Sequence, residues 1–213
     1  NLKALNLSKL DYVLSGNLKS NFTASTIDNI LGQLDIDSFT INSQGKNYKL
    51  NHLSLKSIDK GYEKEMELTA DNLKMTIAGN YQLSTLPKAI KQIFLPSDTA
   101  TTNYKQVLRI DAEITDNTEL ISLFVPKLKI PNKILISANL NTESESLLAS
   151  VSIPKIKFDN LKANDFVSNV FVKNGEIDMF LSMPEIILND SVLVKDISIL
   201  AKGTKDDLGF TIN

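Results

Sequence analysis

The sequence predicts a mainly β protein: a long twisted antiparallel sheet, curled into a half-open groove, with two or three short amphipathic helices against it. Apolar and polar residues alternate with period two along most of the 213 residues. Only three stretches switch to helical spacing. Four stretches share a third feature: apolar-x-apolar, two polar residues, then apolar-x-apolar or small. They are Leu34-Ile36/Phe39-Ile41, Tyr48-Leu50/Leu53-Leu55, Ile156-Phe158/Leu161-Ala163 and Val192-Val194/Ile197-Ile199. In a regular strand the odd residue would throw the second half onto the wrong face. A β-bulge or bend at the polar pair (Asp37-Ser38, Asn51-His52, Asp159-Asn160, Lys195-Asp196) restores that face and adds curvature.

Taken in order, the alternating segments place these residues on one dry side: Leu10, Tyr12, Leu14, Leu18, Phe22; Met66, Leu68, Ala70; Leu73, Met75, Ile77, Tyr81, Leu83; Leu108, Ile110, Ala112, Ile114; Ile134, Ile136, Ala138, Leu140; Leu147, Ala149, Val151, Ile153; and Ile177, Met179, Leu181, Met183. The opposite parity is mostly Lys, Asp, Glu, Asn, Ser and Thr, as in sheets with one wet face. Asn174-Gly175 is a hairpin signal. The helical stretches are Ser25 to Leu31, with Ser25 and Asp28 as a capping pair; Ser84 to Leu95, with Pro87 in the first turn and Pro96 as the stop; and Asn117 to Val125, ending at Pro126. They read as plugs against the apolar side. A shift of 144 residues carries Tyr48, Leu50, Leu53, Leu55, Met66 and Leu68 onto Val192, Val194, Ile197, Ile199, Phe210 and Ile212, which suggests an internal repeat. The polar stretch between Pro96 and Asn103 suggests two consecutive groove segments, 1–100 and 101–213.

Composition narrows the function classes. Net charge is −2 and Arg109 is the only arginine, which argues against nucleic-acid reading. There is no cysteine, hence no disulfide and no thiol chemistry. No apolar run approaches the roughly 20 residues needed to span a bilayer, and no signal peptide is visible. The chain reads as an excised piece of something longer.

No catalytic constellation stands out, so no enzyme, cofactor or metal site is expected. His52 is the sole histidine and falls in a polar pair on the wet side, which suits a solvated residue. Glu63 with Glu65 and Glu143 with Glu145 share strand parity, which suits exposed charge better than paired acid–base work. The apolar side is left as the informative feature. Periodicity alone fits both a closed core and an open trough for acyl chains.

The residues also resemble a family. Asn160 to Met179, NLKANDFVSNVFVKNGEIDM, resembles a recurrent segment of the AsmA-like and TamB-like proteins of Gram-negative bacteria, through Leu161, Ala163, Asp165, Val170, Val172, Lys173, Asn174, Gly175, Ile177 and Met179. The first half is similar to TamB-type proteins of Bacteroidetes: Leu14-Ser15-Gly16-Asn17-Leu18, then Ser25 to Leu31, then Gly45, Tyr48, Leu50, Leu53 and Leu55, then Gly79-Asn80-Tyr81 and Leu86-Pro87. The lysine- and asparagine-rich composition suits an AT-rich genome of that kind.

The resemblance implies a periplasmic, non-catalytic fragment of a protein anchored in the inner membrane. Its apolar groove would carry phospholipid acyl chains toward the outer membrane. An outer-membrane Omp85-type partner is implied only through parts of a full-length chain not present here, and the alternative is an interaction module that assists outer-membrane protein assembly by β-strand pairing. The expected groove residues are Leu50, Leu53, Leu55, Met66, Leu68, Met75, Ile77, Ile136, Leu140, Val151, Ile177, Met179, Val194, Ile197 and Ile199.

Overall fold

The computed structural model describes residues 13–43, 46–94, 105–115, 125, 127–204 and 206–213. They form one large antiparallel sheet that does not close into a barrel. Its strands are β1 (Val13–Thr23), β2 (Leu31–Ser43), β3 (Lys46–Asp59), β4 (Lys64–Ala70), β5 (Leu73–Asn80), β6 (Val107–Ile114), β7 (Leu128–Lys129), β8 (Ile134–Asn141), β9 (Ser146–Phe158), β10 (Leu161–Lys173), β11 (Glu176–Leu188), β12 (Ser191–Thr204) and β13 (Asp207–Ile212). Each strand pairs with its neighbours in sequence, apart from β7. That strand runs along β9 beyond the end of β8 (Leu128 opposite Phe158, Leu135 opposite Ser152), so β7 and β8 follow one line beside β9, interrupted around Pro131. Sheet continuity holds between the two expected segments, because β5 and β6 pair over eight positions.

Turn chemistry sets the short connections. Asn174 and Gly175 (φ 51 and 77) and Asn189 and Asp190 (φ 48 and 62) have both central residues at positive φ, the geometry whose twist matches the flanking strands. The hairpin β3–β4 and the hairpin β12–β13 have the same register under the 144-residue shift: Leu53 faces Ala70 and Leu55 faces Leu68, while Ile199 faces Ile212. The repeat is therefore visible at the level of a hairpin.

Only one α-helix occurs among the described residues, α1 (Leu86–Phe94). Pro87 lies in its first turn, where its missing N–H costs nothing. The stretch expected as a helix at Ser25–Leu31 is instead a single 3-10 turn, Ile27–Asn29, capped by Thr26, whose side chain accepts from the Asp28 N–H. Three residues later the chain must already be extended to pair with β1, so no longer helix can form. The expected helix at Asn117–Val125 lies, except for Val125, outside the described residues, as does the Pro96–Asn103 stretch.

The polar-pair pattern resolves into a crease. In β2 the pair Asp37-Ser38 has Ser38 at φ 57, and β1 shifts register there opposite Gly16. Asn51-His52 of β3 lies directly across from it. Burial changes phase at this pair: Tyr48 and Leu50 are buried before it and Ser57 after it, whereas Lys49, Asn51, His52 and Lys56 are exposed. On the other flank four pairs fall in line across four strands: Pro154-Lys155, Asn164-Asp165, Pro184-Glu185 and Lys195-Asp196. Asp165 (φ 51) and Asp196 (φ 55) are left-handed, each opposite a proline.

The pair Asp159-Asn160 is the exception. It is not a bend within a strand but the two-residue turn between β9 and β10, with Phe158 opposite Leu161 and Asp159 at φ 56. A two-residue hairpin and an in-strand kink both return the flanking residues to one face, so the pattern reads the same in sequence. The actual kink in β9 sits at Pro154-Lys155.

Candidate functional site: the apolar face

Directly paired residues in a ladder share a face, so the register gives the rows of side chains that run across the strands. The central row is Leu34–Leu55–Leu68–Met75–Ala112–Ile136–Val151–Ser168–Leu181–Ile199–Ile212. It crosses ten strand spacings, about 48 Å along the sheet at about 4.8 Å each. Every member from Leu34 to Ile199 is only half-buried. Above it runs Met66–Ile77–Ile110–Ala138–Ala149–Val170–Met179–Ala201–Phe210. Below it, Ile36–Leu53–Ala70–Leu73–Ile114–Ile134 carries the apolar surface toward the crease.

The upper margin is roofed by α1. Ile93 of the helix packs with Ile77, Tyr81, Leu108, Leu140 and Val172, and burial raises the Tyr81 phenol above its ordinary value. The helix is held by a buried polar hub. The Gln106 side chain accepts from the Gln82 N–H (3.3 Å) and donates to Thr85 Oγ1 (2.8 Å). The Gln106 backbone N–H donates to Thr142 Oγ1 (2.8 Å), and its carbonyl accepts from the Thr142 N–H (2.9 Å). Gln106 is 2% exposed, so each of these bonds replaces water that cannot reach it. Asp28 extends the roof toward β1: its carboxylate accepts from the Ser84 N–H (2.9 Å) and hydroxyl (2.5 Å), while Lys64 donates to its carbonyl (2.9 Å). The Ser84 hydrogen bonds hold the Asp28 carboxyl below its ordinary value.

The expected groove residues spread over this surface. Leu50, Ile77 and Leu140 are buried; Leu53, Leu55, Met66, Leu68, Met75, Ile136, Val151, Ile177, Met179, Ile197 and Ile199 are half-buried; Val194 is exposed. Leu34, Ala112 and Leu181 belong to the same central row; alternation already marked Ala112 and Leu181, and the polar-pair pattern marked Leu34, without singling them out.

The opposite face is mostly polar and ion-paired, although Leu135, Leu148, Phe171, Phe180 and Leu200 are exposed on it. His52 is half-exposed and bridges β2, with Nδ1 2.9 Å from Asp37 and Nε2 3.7 Å from Asp35; Lys19 also reaches Asp37 (3.2 Å). It is thus held between carboxylates rather than merely solvated. Asp71, in the β4–β5 turn, accepts from the Asn51 and His52 backbone N–H groups (2.8 and 3.2 Å) and caps the crease; the first of these bonds does most to lower its pKa. Glu65 and Glu63 share Lys60, at 2.5 and 3.9 Å. Glu143 and Glu145 do not share a strand face: both lie in the turn between β8 and β9, because Asn141 caps it through its side chain and ends the strand. A concavity of about 530 Å³ on this face is lined by Lys74, Asp111, Glu113, Ser137 and Ser150 among others. Its two acids are each held by a cation, Arg109 at 3.0 Å and Lys133 at 2.9 Å, and do not converge.

Compared with protein-family models, curated proteins and solved structures, the chain matches none. No helix among the described residues is long and apolar enough to cross a membrane.

Proposed function

We propose that the apolar face is a non-catalytic binding surface for lipid acyl chains. The carrying observation is the central row: a surface apolar but for Ser168, spanning ten strand spacings, that the described fold leaves only half-buried from Leu34 to Ile199. A core meant to stay shut buries such a row. An acyl chain lying along it gains about 0.8 kcal/mol per buried methylene, while its head group stays in water. Successive rows of similar side chains offer many weak sites in series, which suits movement better than one deep pocket. The resemblance to AsmA-like and TamB-like proteins supports the same reading and would set it in the periplasm, between two membranes. Native mass spectrometry of the protein purified from cells tests it. Phospholipid in defined stoichiometry, lost on Leu53→Asp, is the expected result; a lipid-free, cooperatively folded chain overturns it.

A second reading has its own observation. β1 is exposed along its whole length, and Phe210 and Ile212 of the other edge strand are 64% and 71% exposed. Either edge could pair with an added strand, as an assembly module for outer-membrane proteins would require.

A further inference from the structure

At the β2 end of the central row lies a closed-in pocket of about 90 Å³, lined by Phe22, Ile30, Gly32, Leu34 and Leu55. We propose that it is a socket for the methyl end of an acyl chain, an inference that rests on the lipid-binding reading above. Three observations carry it. The lining side chains are all apolar, and Gly32 adds no side chain, so the pocket offers water no side-chain partners and suits an apolar occupant. Its volume of about 90 Å³ is that of about three water-sized groups, too little for a head group. Leu34 and Leu55 are also the first members of the central row, so the pocket is where a chain lying along that row ends. Ile30 lines it at the C-terminal end of the 3-10 turn, and that turn is pinned by Asp28 to Ser84 and Lys64, so the socket is preformed. The polar end of the lipid then points toward β8 and beyond.

The chain contains no tryptophan and no cysteine. Phe22→Trp therefore places a single indole at the rim of the socket, and brominated fatty acids can be used without alkylating a thiol. The probes are palmitate brominated at its terminal methyl and palmitate brominated beside its carboxylate, with bound palmitate counted by native mass spectrometry. The expected result is quenching at least threefold stronger by the terminal bromine, abolished when Leu34→Phe or Leu55→Phe fills the pocket in a variant whose circular dichroism is unchanged. Equal quenching, or stronger quenching by the carboxylate-end bromine, overturns the socket. Palmitate bound without any quenching also overturns the socket but leaves the lipid reading standing. No palmitate bound at all overturns both.

Discussion

Asp165 of β10 lies directly across from Pro184 of β11 and adopts a left-handed backbone, φ 51. Proline has no N–H to give its neighbour, which is why it is scarce inside sheets. The left-handed residue turns its own peptide out of the ladder at the place where the bond cannot be made. Pro154 flanks the same aspartate on β9, and Asp196 answers Pro184 on β12. One strand's defect is thus matched by the next, and the apolar face continues across the crease.

A β-branched residue resists this conformation, whereas glycine adopts it freely. Asp165→Val is therefore expected to destabilise the chain by about 1–2 kcal/mol, and Asp165→Gly to leave it unchanged or slightly more stable. Urea midpoints of the two variants check this.

Glycines with positive φ differ in what surrounds them. A Cβ on Gly79 (φ 139) would meet the Val107 carbonyl oxygen at 2.1 Å, across the β5–β6 ladder. Gly61 (φ 85) has open space around it. Gly79→Ala is expected to cost about 2–4 kcal/mol and Gly61→Ala about 1 kcal/mol, read from thermal or urea melts.

Gln106 holds the roof. Gln106→Leu removes both side-chain bonds and puts an apolar side chain at the hub, at a total cost of about 1–3 kcal/mol, because the Thr85 hydroxyl keeps its bonds to Gln82 and the Gln82 N–H lies near solvent. Amide exchange should accelerate first in α1, before the β9–β12 strands, as measured by hydrogen-exchange mass spectrometry.

Stability should fall in acid, with a known sign. Asp28, Asp35, Asp37 and Asp71 all titrate below their ordinary value of 3.8, mainly through hydrogen bonds from Ser84, from Ser54, from His52, and from the Asn51 N–H respectively. The folded chain then binds fewer protons than the unfolded one. The contribution is fully present above that ordinary value and is lost as pH falls through the lowered folded values. Asp71→Asn should flatten the acid limb of a plot of urea midpoint against pH.

Leu53→Asp and Ile197→Asp decide whether the apolar face is open. On an exposed trough each should weaken lipid binding and leave the urea midpoint within about 1 kcal/mol of the parent; in a closed core each should cost several kcal/mol.

Much of this fold was legible in the residues, because alternation with period two is a local signal. The strands from Met66 to Asn80, from Leu108 to Ile114 and from Ile134 to Met183 follow it closely, whereas Tyr81 and Leu83 lie past the end of β5. The kinks at Asp37-Ser38, Asn51-His52 and Lys195-Asp196 were also readable, since a polar pair between two in-phase apolar runs has few other solutions. Pro154 and Pro184 hid theirs, because a proline inside a strand reads as an interruption, and their compensation lies on a different strand. Asp159-Asn160 misled because a turn and a kink share one pattern. The helix of the roof was legible at Ser84–Leu95, but its anchoring was not: Gln106 meets Thr85 and Thr142, 21 and 36 residues away, and Asp28 meets Ser84 56 residues on. No periodicity encodes such meetings. The apolar row was legible as composition, but the socket at its end depends on where Ile30 comes to rest.

Because every strand but β7 lies beside its neighbours in the chain, the sheet is mechanically a zipper. A force drawing β1 away from β13 acts across the strands, not along them, and loads one edge pairing at a time. The outer hairpins should peel off singly under low, repeated steps of tension, while the middle, clamped by α1 and its hydrogen-bonded hub, gives way last. The apolar rows thus stay aligned longest beneath the helix that covers their upper margin.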